Sequence, residues 1–189
     1  MSQAGPSQRE LMLAGEPYRP DDPELEALSS RAQRLTERFN AWGAEDDRIG
    51  RRQLLAELLG ALGEGVVVRP PLRVDYGFPT RIGPRTFVNF GAVILDCAPV
   101  TIGADVQIAT NVQLLTATHP LAAADRRSGW ELAAPITIGD DVWLGGGVIV
   151  CPGVTIGAET VVGAGAVVVH DLPAKVLAVG NPARPVRDL

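Results

Sequence analysis

The spacing of hydrophobic residues along the chain changes near Gly65, from one regular period to another. Before that point, apolar residues recur every three or four positions in two runs, which predicts two amphipathic helices. The triplet Asp22-Pro23-Glu24 supplies an N-cap, a proline at the first helical position and an acid in the first turn. We therefore predict a helical cap over residues 1–64, with a break between the helices at 40–43. The apolar positions are Leu25, Leu28, Ala32, Leu35 and Phe39, then Ile49, Leu54, Leu55, Leu58, Leu59 and Leu62.

After Gly65, an aliphatic residue recurs every six positions, and a small residue follows many of them. Three such hexapeptides, each a short strand and a turn, complete one triangular coil, in which the aliphatic side chains stack inward. The pattern predicts a parallel β-helix over residues 65–172, followed by a C-terminal tail at 173–189. The inward positions are Ile82, Val88, Ile94, Ile102, Ile108, Leu114, Ile138, Leu144, Val150, Ile156, Val162 and Val168.

The six-residue spacing is interrupted twice. Two extra residues lie between Ile94 and Ile102, and the polar segment 117–133 lacks the pattern altogether. We predict that 117–133 is a loop extruded from the β-helix. Long ordered loops on a rigid scaffold often carry functional residues, so we expect functional side chains in this segment.

Composition narrows the classes of function. The chain has 189 residues, which suits one domain, and 5% aromatics with 21 glycines, which fits a narrow interior. A net charge of −5 weighs against nucleic-acid binding, and the lack of a long apolar run predicts no membrane span. Two cysteines without a zinc-binding pattern predict free thiols in a reducing cytoplasm and no required metal.

The ordered motifs resemble those of the hexapeptide-repeat maltose and galactoside O-acetyltransferases, including the nodulation acetyltransferases. The matching segments are MLAGEPYRPDDPEL, RVDYG, FVNFG, ILD, TATHP, SGWEL, PITIGDDVWLGGG, VTIG, VVGAGAVV and GNPARPVR. The resemblance implies a mainly β fold with a left-handed parallel β-helix. It also implies a homotrimer with active sites between subunits, and a cytoplasmic enzyme that transfers acetyl from acetyl-CoA to a sugar hydroxyl without a metal.

The resemblance assigns the chemistry to three positions. His119, in the THP motif, matches the family's catalytic base, and an imidazole suits proton removal from a hydroxyl. Glu131, in SGWE, resembles the glutamate that lies near this histidine in the maltose type, and a solvated carboxylate is the alternative. The backbone amide of Gly146 matches the donor that stabilises the oxyanion.

Four further residues are predicted at the acceptor site. Asn89 and Asp75 match positions that hold the sugar in the galactoside enzyme, and Phe87 aligns with an aromatic of that site. Asn89 can both donate and accept hydrogen bonds, which suits a sugar hydroxyl. Asp75 and Asp96 are predicted to bind the acceptor too, with turn capping as the alternative for both. Phe87 is predicted to pack on a sugar face, and a core aromatic is its alternative. The galactoside enzyme's acceptor aspartate aligns with Cys97 here.

The resemblance implies that acetyl-CoA lies along the groove between neighbouring subunits. The tail arginines match those that lie near the CoA phosphates in the family, and arginine binds phosphate well. His170 stands where relatives usually carry lysine, which removes one cationic contact. The predicted residues are Trp143, Gly146, Ala164, Val169, His170, Arg184 and Arg187.

Three other functions remain open at this point. The acceptor could be an antibiotic, an amino sugar or serine, although the N-terminal helical segment argues against serine. A γ-type carbonic anhydrase would need three zinc-binding histidines, and the chain has two. A non-catalytic trimeric scaffold is disfavoured by the presence of His119 and Asn89.

Overall fold

The computed structural model describes residues 5–41 and 48–189. Within them, the helices are α1 (Gln8–Ala14), α2 (Pro23–Asn40), α3 (Arg48–Leu58) and α4 (Ala123–Arg127). The strands are β1 (Ala61–Leu62), β2 (Val67–Val68), β3 (Leu72–Val74), β4 (Thr80–Ile82), β5 (Phe87–Val88), β6 (Ala92–Leu95), β7 (Val100–Ile102), β8 (Gln107–Ile108), β9 (Gln113–Leu115), β10 (Ala117–Thr118), β11 (Leu132–Ala133), β12 (Ile136–Ile138), β13 (Trp143–Leu144), β14 (Ile149–Val150), β15 (Thr155–Ile156), β16 (Val161–Val162), β17 (Val167–Val168), β18 (Val176–Val179) and β19 (Arg184–Asp188).

Helices α2 and α3 close one end of the prism. The predicted cap of α2 is confirmed, since the Asp22 side chain accepts a hydrogen bond from the Glu24 amide at 2.9 Å. At the other end of α2, the Asn40 side chain pairs with both backbone groups of Leu72, at 2.8 Å each. The apolar faces of α2 and α3 share one core with the first coil. Part of the predicted break, Trp42 and Gly43, lies outside the described residues.

Three parallel sheets form the sides of the prism, and every third strand joins the same sheet from β1 to β9 and again from β12 to β17. The first sheet has the order β1-β4-β7-β12-β15, the second β2-β5-β8-β13-β16-β18, and the third β3-β6-β9-β14-β17. All twelve predicted inward aliphatics are at most 3% exposed. The prediction of a parallel β-helix of hexapeptide repeats, with an N-terminal helical segment, is therefore confirmed.

Close stacking of the coils explains the glycine that follows many inward aliphatics. A Cβ atom on Gly139 would lie 2.6 Å from the Ala158 backbone nitrogen of the next coil, and one on Gly145 would lie 2.6 Å from that of Ala164. No side chain fits at such distances, because the contact is with backbone rather than with a flexible side chain.

Parallel pairing extends past both predicted boundaries of the β-helix. It begins at Ala61, where β1 pairs with β4, and continues to β18, which pairs with β16. The tail then reverses, so that β19 runs antiparallel to β18 on the second sheet. Among the described residues, no helix combines the length and apolar character needed to cross a membrane.

Candidate active site

Extra residues accumulate at a single corner of the prism, where the third sheet leads into the first. Leu72 pairs with Ala92 across a coil of 20 residues, whereas Ile149 pairs with Val167 across a coil of 18. The two extra residues of each longer coil lie in the turn after β3 or in the turn after β6. The extruded segment leaves from the same corner, after β9. Three consecutive coils thus carry their irregular turns one above another, and we call this edge the inserted corner.

A cavity of about 580 Å³ lies at the inserted corner, under the N-terminal helical segment. It brings together three predicted site residues, namely His119, Glu131 and Asp75. The remaining lining comes from both the N-terminal segment and the prism: Pro20, Leu25, Glu26, Ser29, Ser30, Tyr76, Leu95, Cys97 and Ala117.

The extruded segment is more ordered than the predicted irregular loop. Strands β10 and β11 form an antiparallel hairpin stalk, and α4 lies in its tip. Thr118 is the register partner of Leu132, so the next residues outward, His119 and Glu131, follow on opposite strands of the stalk. Hairpin register is the physical reason that two residues twelve positions apart line the same cavity.

The side chains of His119 and Glu131 differ in their hydrogen bonding. His119 is exposed, and within the described chain its imidazole makes no hydrogen bond. The Glu131 carboxylate accepts a hydrogen bond from the Tyr18 hydroxyl at 2.9 Å. Tyr18 is fully buried, and the sequence reasoning assigned it no role although it lies in the GEPY segment that carries the resemblance.

Asp75 and Cys97 form a polar pair in the wall of the cavity. The Cys97 thiol donates to Asp75 Oδ2 at 3.5 Å. Burial raises the pKa of Asp75 above its ordinary value, and burial raises the pKa of Cys97 to about 12. The thiol is therefore a neutral hydrogen-bond donor rather than a thiolate nucleophile.

Asp96 lies beneath the cavity rather than in its lining. It is fully buried, and its Oδ1 accepts from the amides of Asp75 at 3.1 Å and Tyr76 at 2.8 Å. Its Oδ2 accepts from the Thr80 hydroxyl at 2.7 Å. Burial raises the pKa of Asp96 to about 6. This arrangement is the turn-capping alternative, because both carboxylate oxygens are occupied within the chain.

The other predicted acceptor residues lie on the second sheet, away from the cavity lining. Phe87 is half-buried in β5, and the guanidinium of Arg69 stacks 5.4 Å from its ring centre. Asn89 follows β5, and its Oδ1 accepts from the Phe90 amide at 2.9 Å. A single chain therefore does not bring Phe87 and Asn89 together with His119.

Three predicted donor-site residues also lie on the second sheet or in the turn after it. Trp143 is 54% exposed in β13, and Ala164 is exposed in the turn after β16. Gly146 lies in the turn after β13, and no acceptor in the described chain takes up its amide. An unengaged amide at a partly exposed turn can donate to a ligand oxygen.

The remaining predicted donor-site residues lie near the C-terminus. Val169 and His170 are exposed just after β17, on the third sheet. Arg184 and Arg187 are exposed in β19, beside the second sheet. None of the ion pairs among the described residues involves either arginine, so both cations are available to a ligand. The described residues contain no group of three histidine, cysteine or acidic side chains that could hold a metal.

Comparison with known proteins supports a hexapeptide-repeat transferase. Residues 11–63 match the maltose acetyltransferase hexapeptide capping motif, and residues 135–170 match the bacterial transferase hexapeptide of six repeats. Nodulation protein L of Rhizobium leguminosarum bv. viciae is 48% identical over 179 residues, covering 94% of this chain and 93% of that protein.

Two crystal structures extend the likeness to the whole fold. A maltose O-acetyltransferase from Clostridium difficile 630 has a TM-score of 0.96 and 40% identity, covering 98% of this chain and 99% of that one. A hexapeptide-repeat acetyltransferase from Vibrio cholerae O1 biovar eltor, complexed with acetyl coenzyme A, has a TM-score of 0.91 and 43% identity, covering 97% and 99%. The chain belongs to the maltose and galactoside O-acetyltransferase family of hexapeptide-repeat proteins. The enzyme class predicted from the sequence, an O-acetyltransferase, is thereby confirmed.

Proposed function

We propose that this enzyme transfers the acetyl group of acetyl-CoA to a hydroxyl of a sugar of the maltose, glucose or galactoside type. The observation that carries the proposal is the hairpin stalk, which presents His119 and Glu131 to one cavity with both polar and apolar walls. That cavity is roofed by the segment that matches the maltose acetyltransferase capping motif. Its volume of about 580 Å³ lies within the range of small-molecule sites.

The proposed mechanism is direct transfer with His119 as general base. The imidazole accepts the hydroxyl proton as the oxygen attacks the thioester carbonyl. The carbonyl π electrons move to oxygen, and the Gly146 amide stabilises this oxyanion. When the intermediate collapses, the C–S bond breaks, and the CoA thiolate receives the proton from His119.

Acceptor contacts are divided between two surfaces in this proposal. Asp75 offers a carboxylate in the cavity of His119, while Asn89 and Phe87 lie on the second sheet. Asp96 acts beneath the site by holding the backbone of Asp75. A homotrimer would join the surfaces if the inserted corner of one chain met the second sheet of its neighbour.

The donor would lie along the second sheet and the C-terminal strand. Trp143 would wall the acyl group, and Ala164 and Val169 would line the pantetheine path. Arg184 and Arg187 supply cations for the CoA phosphates, and His170 adds a polar contact near them. The proposal includes a cytoplasmic location, with which the free thiols of Cys97 and Cys151 agree.

Thiol release with acetyl-CoA and a panel of acceptors tests the function directly. We expect release with at least one of maltose, glucose or a galactoside, and a loss of about 10²–10⁴-fold in kcat for His119→Ala. The thermal midpoint of this variant should stay at the wild-type value, because the side chain is exposed and unbonded within the described chain. Release only with serine or chloramphenicol would redirect the acceptor class, and no release with any acceptor would refute the transferase.

Subunit mixing tests whether His119 and Asn89 meet between chains. We would co-express two inactive chains, His119→Ala and Asn89→Ala. In random trimers, about one quarter of the sites would combine both intact residues and regain activity. Homotrimers of either variant alone are the controls, and a mixture as inactive as its components would place both residues in the same chain's site.

A further inference from the structure

Three hydrogen bonds join Tyr18 to Glu131. The Tyr18 amide donates to the Glu131 carbonyl, and the Glu131 amide donates to the Tyr18 carbonyl, each at 3.1 Å. The hydroxyl of Tyr18 then donates to Glu131 Oε2 at 2.9 Å. Both the backbone and the side chain of Glu131 are therefore tied to one residue of the N-terminal segment, 113 positions away.

The surroundings of Tyr18 make its hydroxyl a fixed donor. The ring is fully buried in a cluster with Met12, Leu25 and Tyr76, so it has little freedom to move. Burial also holds the pKa of Tyr18 far above its ordinary value, which keeps the phenol protonated. A donor held by packing directs the one carboxylate oxygen it binds. Among the described residues, Glu131 Oε1 accepts no hydrogen bond, so it can face another partner.

The neighbouring residue anchors the extruded segment by separate contacts. The Arg19 guanidinium donates to the Ser128 carbonyl and stacks 4.3 Å from the ring centre of Trp130. Arg19 thus holds the same segment without touching the Glu131 carboxylate. This division offers a way to separate general anchoring of the segment from direction of the carboxylate.

We propose that Tyr18 is a positioning residue for acetyl transfer, whose hydroxyl aims the Glu131 carboxylate so that Oε1 can orient the imidazole of His119. This role rests on the proposed function of His119 as the base. A carboxylate that fixes one ring nitrogen selects the tautomer in which the other nitrogen can accept a proton. Tyr18 would therefore raise the rate of the chemical step without touching acetyl-CoA or the acceptor.

A double-mutant cycle of Tyr18 and Glu131 tests the positioning role of Tyr18 by enzyme kinetics. We expect Tyr18→Phe to lower kcat about tenfold while KM for acetyl-CoA stays unchanged, because a positioning error affects the reacting geometry. In a Glu131→Gln background, the same change should alter kcat by less than about twofold, because the target of the hydroxyl is already altered. Arg19→Gln is the matched control that weakens the anchoring alone, and its kcat should fall less than that of Tyr18→Phe.

A second readout does not depend on turnover. In protein labelled with ¹⁵N-histidine, nitrogen shifts report the tautomer of each imidazole, and His170 provides an internal reference remote from Tyr18. We expect one dominant neutral tautomer for His119 in the wild type and a mixture in Tyr18→Phe, with His170 unchanged.

The outcomes separate the two proposals. An equal loss of kcat from Tyr18→Phe in both backgrounds, or an unchanged His119 tautomer, would overturn the positioning role. A wild-type enzyme that releases no thiol with any acceptor, yet shows the expected tautomer change, would overturn only the proposed function. A retained kcat in Tyr18→Phe beside an inactive His119→Ala would overturn only the role of Tyr18.

Discussion

Two corners of the prism differ in their turns. One corner repeats the same turn from coil to coil, and the other contains inserted residues. At the corner that joins the first sheet to the second, corresponding turns each contain a residue with left-handed backbone conformation, such as Arg85, Asp105 and Asp141. Their side chains face solvent, as in the exposed ion pair between Arg85 and Asp105. At the inserted corner, by contrast, the turns bury Asp96 and Cys97.

The difference shows where a solenoid can acquire a site. Strand register and the inward aliphatics depend on neighbouring coils, so an insertion within a strand would break the stack. A corner turn carries no such constraint, and extra residues there add surface at small entropic cost. When insertions coincide in three consecutive coils, they enclose space and bury polar groups that can bind or orient a substrate.

Removing the carboxylate of Asp96 should have the largest effect on stability. Asp96→Ala leaves two backbone amides and the Thr80 hydroxyl without their acceptor, so we expect a loss of about 3 kcal/mol in the free energy of unfolding. Chemical denaturation measures this loss. A change within the error of the measurement would show that the inserted corner does not depend on this cap.

The pH dependence of stability provides a second test of how Asp96 stabilises the inserted corner. Because burial raises the pKa of Asp96 to about 6, the native state binds its proton more tightly than the unfolded state does. The contribution of Asp96 to stability is therefore complete below about pH 4 and declines as pH rises to about 6. The stability difference between wild type and Asp96→Asn should fall by on the order of 2 kcal/mol over this window. Denaturation curves at several pH values test the sign, and a difference that rises with pH would contradict the burial argument.

The smallest effect is expected at the regular corner. Asp105→Asn keeps a residue type that tolerates the left-handed conformation and removes only an exposed ion pair with Arg85. The denaturation midpoint should not change measurably at physiological ionic strength. A drop comparable to that of Asp96→Ala would mean that the two corners do not differ in the way their surroundings suggest.

Several residues of the candidate site could be predicted from sequence, but their assembly around one cavity could not. The THP and SGWE motifs identified His119 and Glu131, and the structure places both at one cavity. The sequence leaves Asp96 either binding the acceptor or capping a turn, and its buried hydrogen bonds to two amides and the Thr80 hydroxyl favour the cap. Tyr18 was missed because its partner lies 113 residues away, and no local pattern reports such a contact.

The amino-acid sequence by itself determined the prism, because the repeat is a local property of the chain. An aliphatic residue every six positions and the small residue after it specify what faces inward and how closely coils stack, whatever lies elsewhere. Only the tertiary structure decided that three insertions meet at one corner, that hairpin register sets Glu131 opposite His119, and that Tyr18 binds Glu131. These relations join residues on different coils and helices, so they exist only once the coils have stacked and the N-terminal segment has packed against them.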